Sequence, residues 1–418
     1  MKRIASFLLL VALAASLLLS GAVAEEQTPI RIGVLATQDG ASGLGAHAAV
    51  DLFFEEHGME ICGRPVEIYH ENTSSDPAIA IEKLTKCVDD YGCQIIIGPL
   101  SGSEGTAVKE YAEFYLDDVT ILIGSSGSTQ ITLDTPENLF RVCATGAQVG
   151  IALGQYCYEE LGYRNVLSVA SDYDFTFGQV QGFMYGFVGA GGNIVDKIWF
   201  TKGTTDFSSV IASITKYPDV DAIFCGIGAS DSMYFVQQYH DYGLTLPLLG
   251  GSNFTDVSCL ISDIGSYYDG ILCSSYWADD LGTEEYNSFV DSYTQYYGSA
   301  PSSFASDFYI AAQIATNVLE SMDGNIEDQE QFRALLADYT YTSPRGEFRF
   351  DDDHQYICDV FITEVQKGED GVYKNIAVKV IENVTQYGPF DPEWFAAQPD
   401  PDRDNPSVEA IQNAVYAE

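Results

Sequence analysis

The sequence predicts an α/β chain built as two doubly wound parallel-sheet lobes. Two observations carry this. Short, fully apolar runs such as "QIIIGP" and "TILIG" alternate with amphipathic stretches of about ten to fifteen residues, the pattern of βαβ units whose sheets are covered on both faces. The 418 residues exceed what one ordinary core takes, and an apolar content of 46% marks a folded chain rather than a disordered one.

The elements follow in order. Lys2 and Arg3, an apolar stretch from Ile4 to Leu19, and Ala22-Val23-Ala24 before Glu25-Glu26 predict a secretory signal peptide over residues 1–24. The mature chain is therefore expected in the periplasm or secreted. No cysteine follows the apolar run, so no lipid anchor is expected. Strands are predicted at "IRIGVLA", "VEIYHE", "QIIIGP", "TILIG", "NVLSVA", "NIVDKIWF", "VDAIFCG", "LPLLG" and "DGILCS". Between them lie predicted helices over Ala46–His57, Pro77–Tyr91, Gly105–Tyr115, Gln148–Leu161, Phe207–Tyr217 and Ser232–Tyr242. Asp76 before Pro77, and Thr205 or Asp206 before Phe207, are helix-start signals. Long helices are predicted over Glu284–Gly298, Ser303–Met322 and Glu327–Asp338, then a β-meander. The tail after Gly388, rich in Pro and Asp, is expected to be an extended strap or partly disordered.

With 61 Asp and Glu against 19 Lys and Arg, the formal charge of −42 repels nucleic acid and anionic membrane surfaces. It says little about a small ligand, which local groups decide. Nine cysteines leave at least one unpaired within the chain. Cys225 and Cys273 sit inside apolar runs and read as small buried hydrophobes. Cys62 and Cys87 bracket a strand and most of a helix and are the first disulfide expected, although spacing alone does not fix connectivity. No C-x-x-C and no zinc spacing occurs, so neither a metal nor another cofactor is expected. "GLGAHA" matches a dinucleotide fingerprint only loosely, because Gly43 stands well past the strand end where a tight turn is needed. The five histidines form no H-E-x-x-H, and no G-x-S-x-G occurs, so no enzyme is expected.

Two serine-glycine turns remain. Ser101-Gly102-Ser103 and Ser125-Ser126-Gly127-Ser128 each follow an apolar strand, at the strand end where open parallel sheets bind ligands. Backbone N–H groups at helix starts, together with hydroxyls, cradle a carboxylate.

The order "GPLSGS", "GSSGST", "LFRVCATGAQVG", "SDYDFTFGQ", "GTTDFSSVIASI", "PDVDAIFCG" and "APSSFASDFYIAAQ" resembles the periplasmic leucine and branched-chain amino acid-binding proteins of ABC transporters, from Ile30 to about Ile381. The resemblance implies two lobes joined by three crossings near Arg141–Gly146, Asp269–Trp277 and Thr342–Phe350. Lobe one would take residues 28–143 and 275–343, lobe two 144–274 and 344–385, and the tail 386–418. It implies a carboxylate site at Ser101, Gly102, Ser103, Ser126 and Ser128, cleft aromatics at Tyr173, Phe177 and Phe304, and a monomer that delivers its ligand to a membrane permease. Two departures stand out: Ser252 falls where the family often has an acid for the ligand's ammonium, and Leu44 falls where it has a tyrosine. Asp174, Asp231 or Asp279 is then expected to supply the charge, or the ligand lacks an ammonium. Tyr276 and Trp277 add aromatic surface near a crossing. The leading ligand class is branched-chain amino acids and the alternative an aromatic carboxylic acid. An exported enzyme and a sensory ligand-binding domain are the rival functions.

Overall fold

The computed structural model describes residues 28–417, so the leader expected over residues 1–24 lies outside the described residues. The first lobe holds strands β1 (Ile30–Ala36), β2 (Glu60–Ile61), β3 (Arg64–Asn72), β4 (Ile95–Ile97), β5 (Thr120–Ile123) and β6 (Leu139–Arg141). They form one sheet in the order β2-β3-β1-β4-β5-β6, parallel except for the edge hairpin β2–β3. Ile95 to Ile97 and Ile121 to Ile123 are fully buried, which is why these strands read as continuous apolar runs: both sheet faces are covered. Helices α1 (Ala41–Glu56), α2 (Pro77–Asp89) and α3 (Gly102–Tyr115) connect them.

After β6 the chain enters the second lobe. It runs through α4 (Gly146–Glu159), β7 (Asn165–Ser171), α5 (Asp174–Gly189), β8 (Asn193–Phe200), α6 (Ser208–Ile214), β9 (Ala222–Gly226), α7 (Ala229–Asp241), β10 (Leu248–Gly250), α8 (Val257–Leu260) and β11 (Leu272–Ser275). Helices α9 (Glu284–Tyr297), α10 (Ser303–Ser321) and α11 (Gln329–Ala337) return to the first lobe, where Tyr293 donates to Gly45 O and Thr120 to Gln329. Strands β12 (Tyr341–Ser343), β13 (Gly346–Phe350), β14 (Tyr356–Lys367) and β15 (Tyr373–Val384) then complete the second sheet as the expected antiparallel meander, β14 pairing with β11.

Helices α4 and α5 touch backbone to backbone. Gly146, Gly150 and Gly154 face Gly178, Gly182 and Gly186; a Cβ at Gly182 would stand 2.4 Å from Ala147 O, and one at Gly154 2.4 Å from Phe183 O. Glycine at every fourth position clears one stripe of each helix. This contact fixes where the start of α5 points.

All three crossings meet at one buried ion pair. Asp307 on α10 accepts from Arg345 Nη1 at 2.6 Å, from Tyr276 at 2.9 Å and from Ser125 at 2.7 Å, while Arg345 Nη2 donates to Val142 O at 2.7 Å. Val142, Tyr276 and Arg345 each lie on a different crossing.

The tail is a packed strap rather than a disordered segment. Beyond β15, Gln386 and Thr132 hydrogen-bond side chain to side chain. Phe390, Trp394 and Phe395 then pack their rings around Tyr185 of α5. Further on, Asp400 accepts from Gln130 of the first lobe at 3.0 Å, and Arg403 pairs with Asp172 of the second. The expected Cys62–Cys87 bond is not formed. Cys62 sits in a left-handed turn with its thiol toward Glu320 O, whereas Cys87 is buried under β1 and β4 beside Cys93.

Candidate functional site: the interlobe cleft

Residues just past the carboxyl ends of strands from both lobes line one cavity of about 430 Å³. Thr37 follows β1, Ser101 follows β4 and Ser125 follows β5; facing them, Tyr173 follows β7, Lys202 follows β8 and Gly228 follows β9. Helices α1, α3, α5 and α7 begin on this wall. Gly40, Tyr173 and Gly228 provide no side-chain cap for α1, α5 and α7, and Ser101 Oγ is buried without a hydrogen-bond partner. Elsewhere Asp76, Thr145, Thr283 and Asp328 cap their helices. The cleft therefore collects the starts of four helices, and at α1, α5 and α7 no side chain caps the first turn.

The two serine turns are tied to each other. Ser126 Oγ donates to Pro99 O at 3.0 Å and to Ser101 O at 2.8 Å, and Glu104 accepts from the Ser101 N–H at 2.8 Å. From below, the fully buried Arg141 donates to Ser126 O and Ser128 O, the latter through a very short contact. The lobes meet at Phe175. A Cβ at Gly102 would stand 3.2 Å from Phe175 Cβ, and one at Gly127 2.7 Å from its ring, so glycine at both places makes the seat for this side chain.

Two α/β lobes around a cleft built of strand ends match a known architecture, and a family model described as Periplasmic binding protein covers residues 29–370. The chain belongs to that family. The Leu/Ile/Val-binding protein homolog 6 of Brucella abortus is 25% identical to this periplasmic binding protein over 394 residues, 91% of this chain and 97% of that one. An ABC transporter substrate-binding protein from Sphaerobacter thermophilus superposes with a TM-score of 0.79 at 28% identity, covering 86% of this chain and 99% of its own. A solute-binding protein of an R. palustris ABC transporter, solved with benzoate, gives 0.78 at 22% identity over 85% and 97% of the two chains. Such family members are solute-binding proteins that carry small molecules to permeases, and no helix among the described residues is long and apolar enough to cross a membrane.

Within this periplasmic binding protein, Ser101, Gly102, Tyr173 and Phe304 lie on the cleft wall. Ser103 is one residue further into α3 and off the wall. Ser126 and Ser128 are buried, the first holding the Ser101 turn and the second accepting from Thr106 at 3.3 Å. Phe177 packs edge-on against Trp199 at 5.1 Å, because two helical residues turn it about 200° away from Phe175. Ser252 accepts from Gln179 outside the cleft, and Asn253 takes the wall position. Tyr276 belongs to the Asp307 cluster. Trp277 donates to Asp279 at 3.2 Å and packs on Tyr286, so both aromatics serve the crossing rather than the cavity.

Of the three aspartates weighed for an ammonium, Asp279 is held by Trp277 and Asn375, its carboxyl pushed up to about 6 by burial. Asp174 is off the wall. Asp231 is on it, but its carboxylate accepts from the Gly203 N–H at 3.1 Å and from Ser171, and burial raises its pKa. Lys202, Phe175 and Asn253 are wall residues that sequence reasoning missed. For Lys202 the signal was present: it stands just past a strand end, as the serine turns do.

Proposed function

We propose that this protein is the extracytoplasmic solute-binding component of an ABC importer, a monomer that takes a small carboxylate between its lobes and presents it to a membrane permease without chemistry. The observation that carries this reading is the convergence of uncapped helix starts and the unpartnered Ser101 hydroxyl on one interlobe cavity. A carboxylate satisfies N–H and O–H donors that would otherwise face only water. Binding to one lobe, followed by closure of the other over it, is the family's mode of action.

Two ligand classes fit. The Brucella relative's name supports branched-chain amino acids, and Leu100, Met233 and Phe304 offer an apolar surface for their side chains. The benzoate complex supports aromatic carboxylates, and this second class is favoured by the neutral Asn253 on the wall, next to the position where an acid was expected to meet an ammonium. Thermal-shift measurements with leucine, isoleucine, benzoate and 4-hydroxybenzoate, each beside its amide, test the reading. Stabilisation by an acid and not by its amide is expected; equal stabilisation by both would refute the carboxylate cradle.

A further inference from the structure

The cleft wall carries one ammonium group, that of the exposed Lys202. In this acidic chain Lys83, Lys86, Lys374 and Lys379 each pair with a carboxylate. Among the described residues Lys202 takes part in no ion pair. Its ammonium lies instead 4.7 Å from the ring centroid of Tyr173, itself on the wall. Cation–π contact holds a lysine head in place without neutralising it.

The turn that presents Lys202 is anchored. Thr204 N and Oγ1 both donate to Thr201 O, and the Gly203 N–H donates to both carboxylate oxygens of Asp231 at 3.1 Å. Asp231 also accepts from Ser171 at 3.4 Å and is buried. The one buried carboxylate of the cavity is thereby engaged in positioning the Lys202 turn. The other acid on the wall, Asp39, is exposed, as Lys202 is.

We propose that Lys202 is the second-lobe counter-charge for the bound solute, and that it restricts the cleft to solutes of net negative charge. The inference rests on the solute-binding reading and narrows it. A carboxylate closed between the unpartnered Ser101 hydroxyl at the start of α3 and Lys202 meets a hydrogen-bond donor on one side and a positive charge on the other. A zwitterion such as leucine would bring its ammonium toward Lys202, while the buried carboxylate on the wall, Asp231, already accepts from Gly203 and Ser171, a costly arrangement once water is excluded. Carboxylates without an ammonium, aromatic acids among them, fit; so do solutes with a second acidic group.

Calorimetry on the mature chain with benzoate, 4-hydroxybenzoate, succinate and leucine, at two salt concentrations, tests this. An anion is expected to bind tighter than leucine. Lys202→Gln should weaken that anion at least tenfold and flatten its salt dependence, whereas Lys202→Arg should stay within about threefold. Unchanged anion affinity and salt dependence in Lys202→Gln would overturn the assignment. Tight binding of leucine in preference to the anions would leave the solute-binding reading standing and also overturn it. Failure of every carboxylate to bind would instead count against the solute-binding reading itself, and against this inference with it.

Discussion

Arg345 donates to Asp307 at 2.6 Å with neither side chain reaching solvent, and through this pair the three crossings between the lobes share one anchor. Replacing Asp307 by Asn leaves a guanidinium buried between Tyr276 and Tyr356 without its counter-charge. The expected loss is about 3–5 kcal/mol of unfolding free energy. Urea denaturation measures it. A double replacement, Asp307→Leu with Arg345→Met, should recover much of the loss, because it removes both charges together.

Gly127 has no room for a side chain beneath Phe175. Gly127→Val should displace that ring and cost the closed state its interlobe contact. Ligand affinity is then expected to fall on the order of tenfold with little change in thermal midpoint, since the apparent affinity scales with the fraction of molecules able to close. Calorimetry beside a melting curve separates the two effects.

His47 is held neutral inside the first lobe. Burial, then the neighbouring His70, lower its pKa to about 4 from the usual 6.5; Ala36 O and Asp51 oppose the shift. The folded value lies below the unfolded one, so its contribution is present above pH 6.5 and is lost as the pH falls through about 4. The full effect is about 3 kcal/mol. The stability difference between the native chain and His47→Gln should shrink by about that amount between pH 7 and pH 4, measured by urea unfolding at several pH values.

Phe395 of the strap is buried against Tyr185. Phe395→Ala should lower stability by about 3 kcal/mol, the cost of emptying a packed aromatic site. A loosely attached tail would show a change within about 0.5 kcal/mol. The urea midpoint at constant slope decides between them.

The lobes were legible because parallel strands covered on both faces must be largely apolar, as "QIIIGP", "TILIG" and "NVLSVA" are. Short edge elements such as β2 and β6 carry too few residues for any period and went unread. In the cleft, position past a strand end was legible, and it led to Ser101 and to the turn that holds Ser125, although Ser126 and Ser128 were the residues expected there. Direction was not. Ser126 turns back to hold Ser101, and Phe177 faces Trp199 while Phe175 faces the cavity, differences of one or two residues that backbone geometry sets. Trp277 read as a site aromatic because the sequence does not say that its indole N–H turns to Asp279, two residues on, and its ring to Tyr286. The tail's composition suggested disorder, yet Phe390, Trp394 and Phe395 supply the apolar area that secures it.

Eight of the nine cysteines are buried and Cys62 alone is exposed. It lies beside the last turn of α10, whose first turn carries Phe304 at the cavity, and a helix of 19 residues separates the two by about 28 Å. The native chain thus comes with a single chemical handle. A thiol-reactive dye would attach at one place, a helix length from the solute, with no cysteine needing removal first. Burial, together with Glu320 and Asp323 nearby, raises the pKa of this thiol, so coupling should go faster in mildly alkaline buffer than at neutral pH.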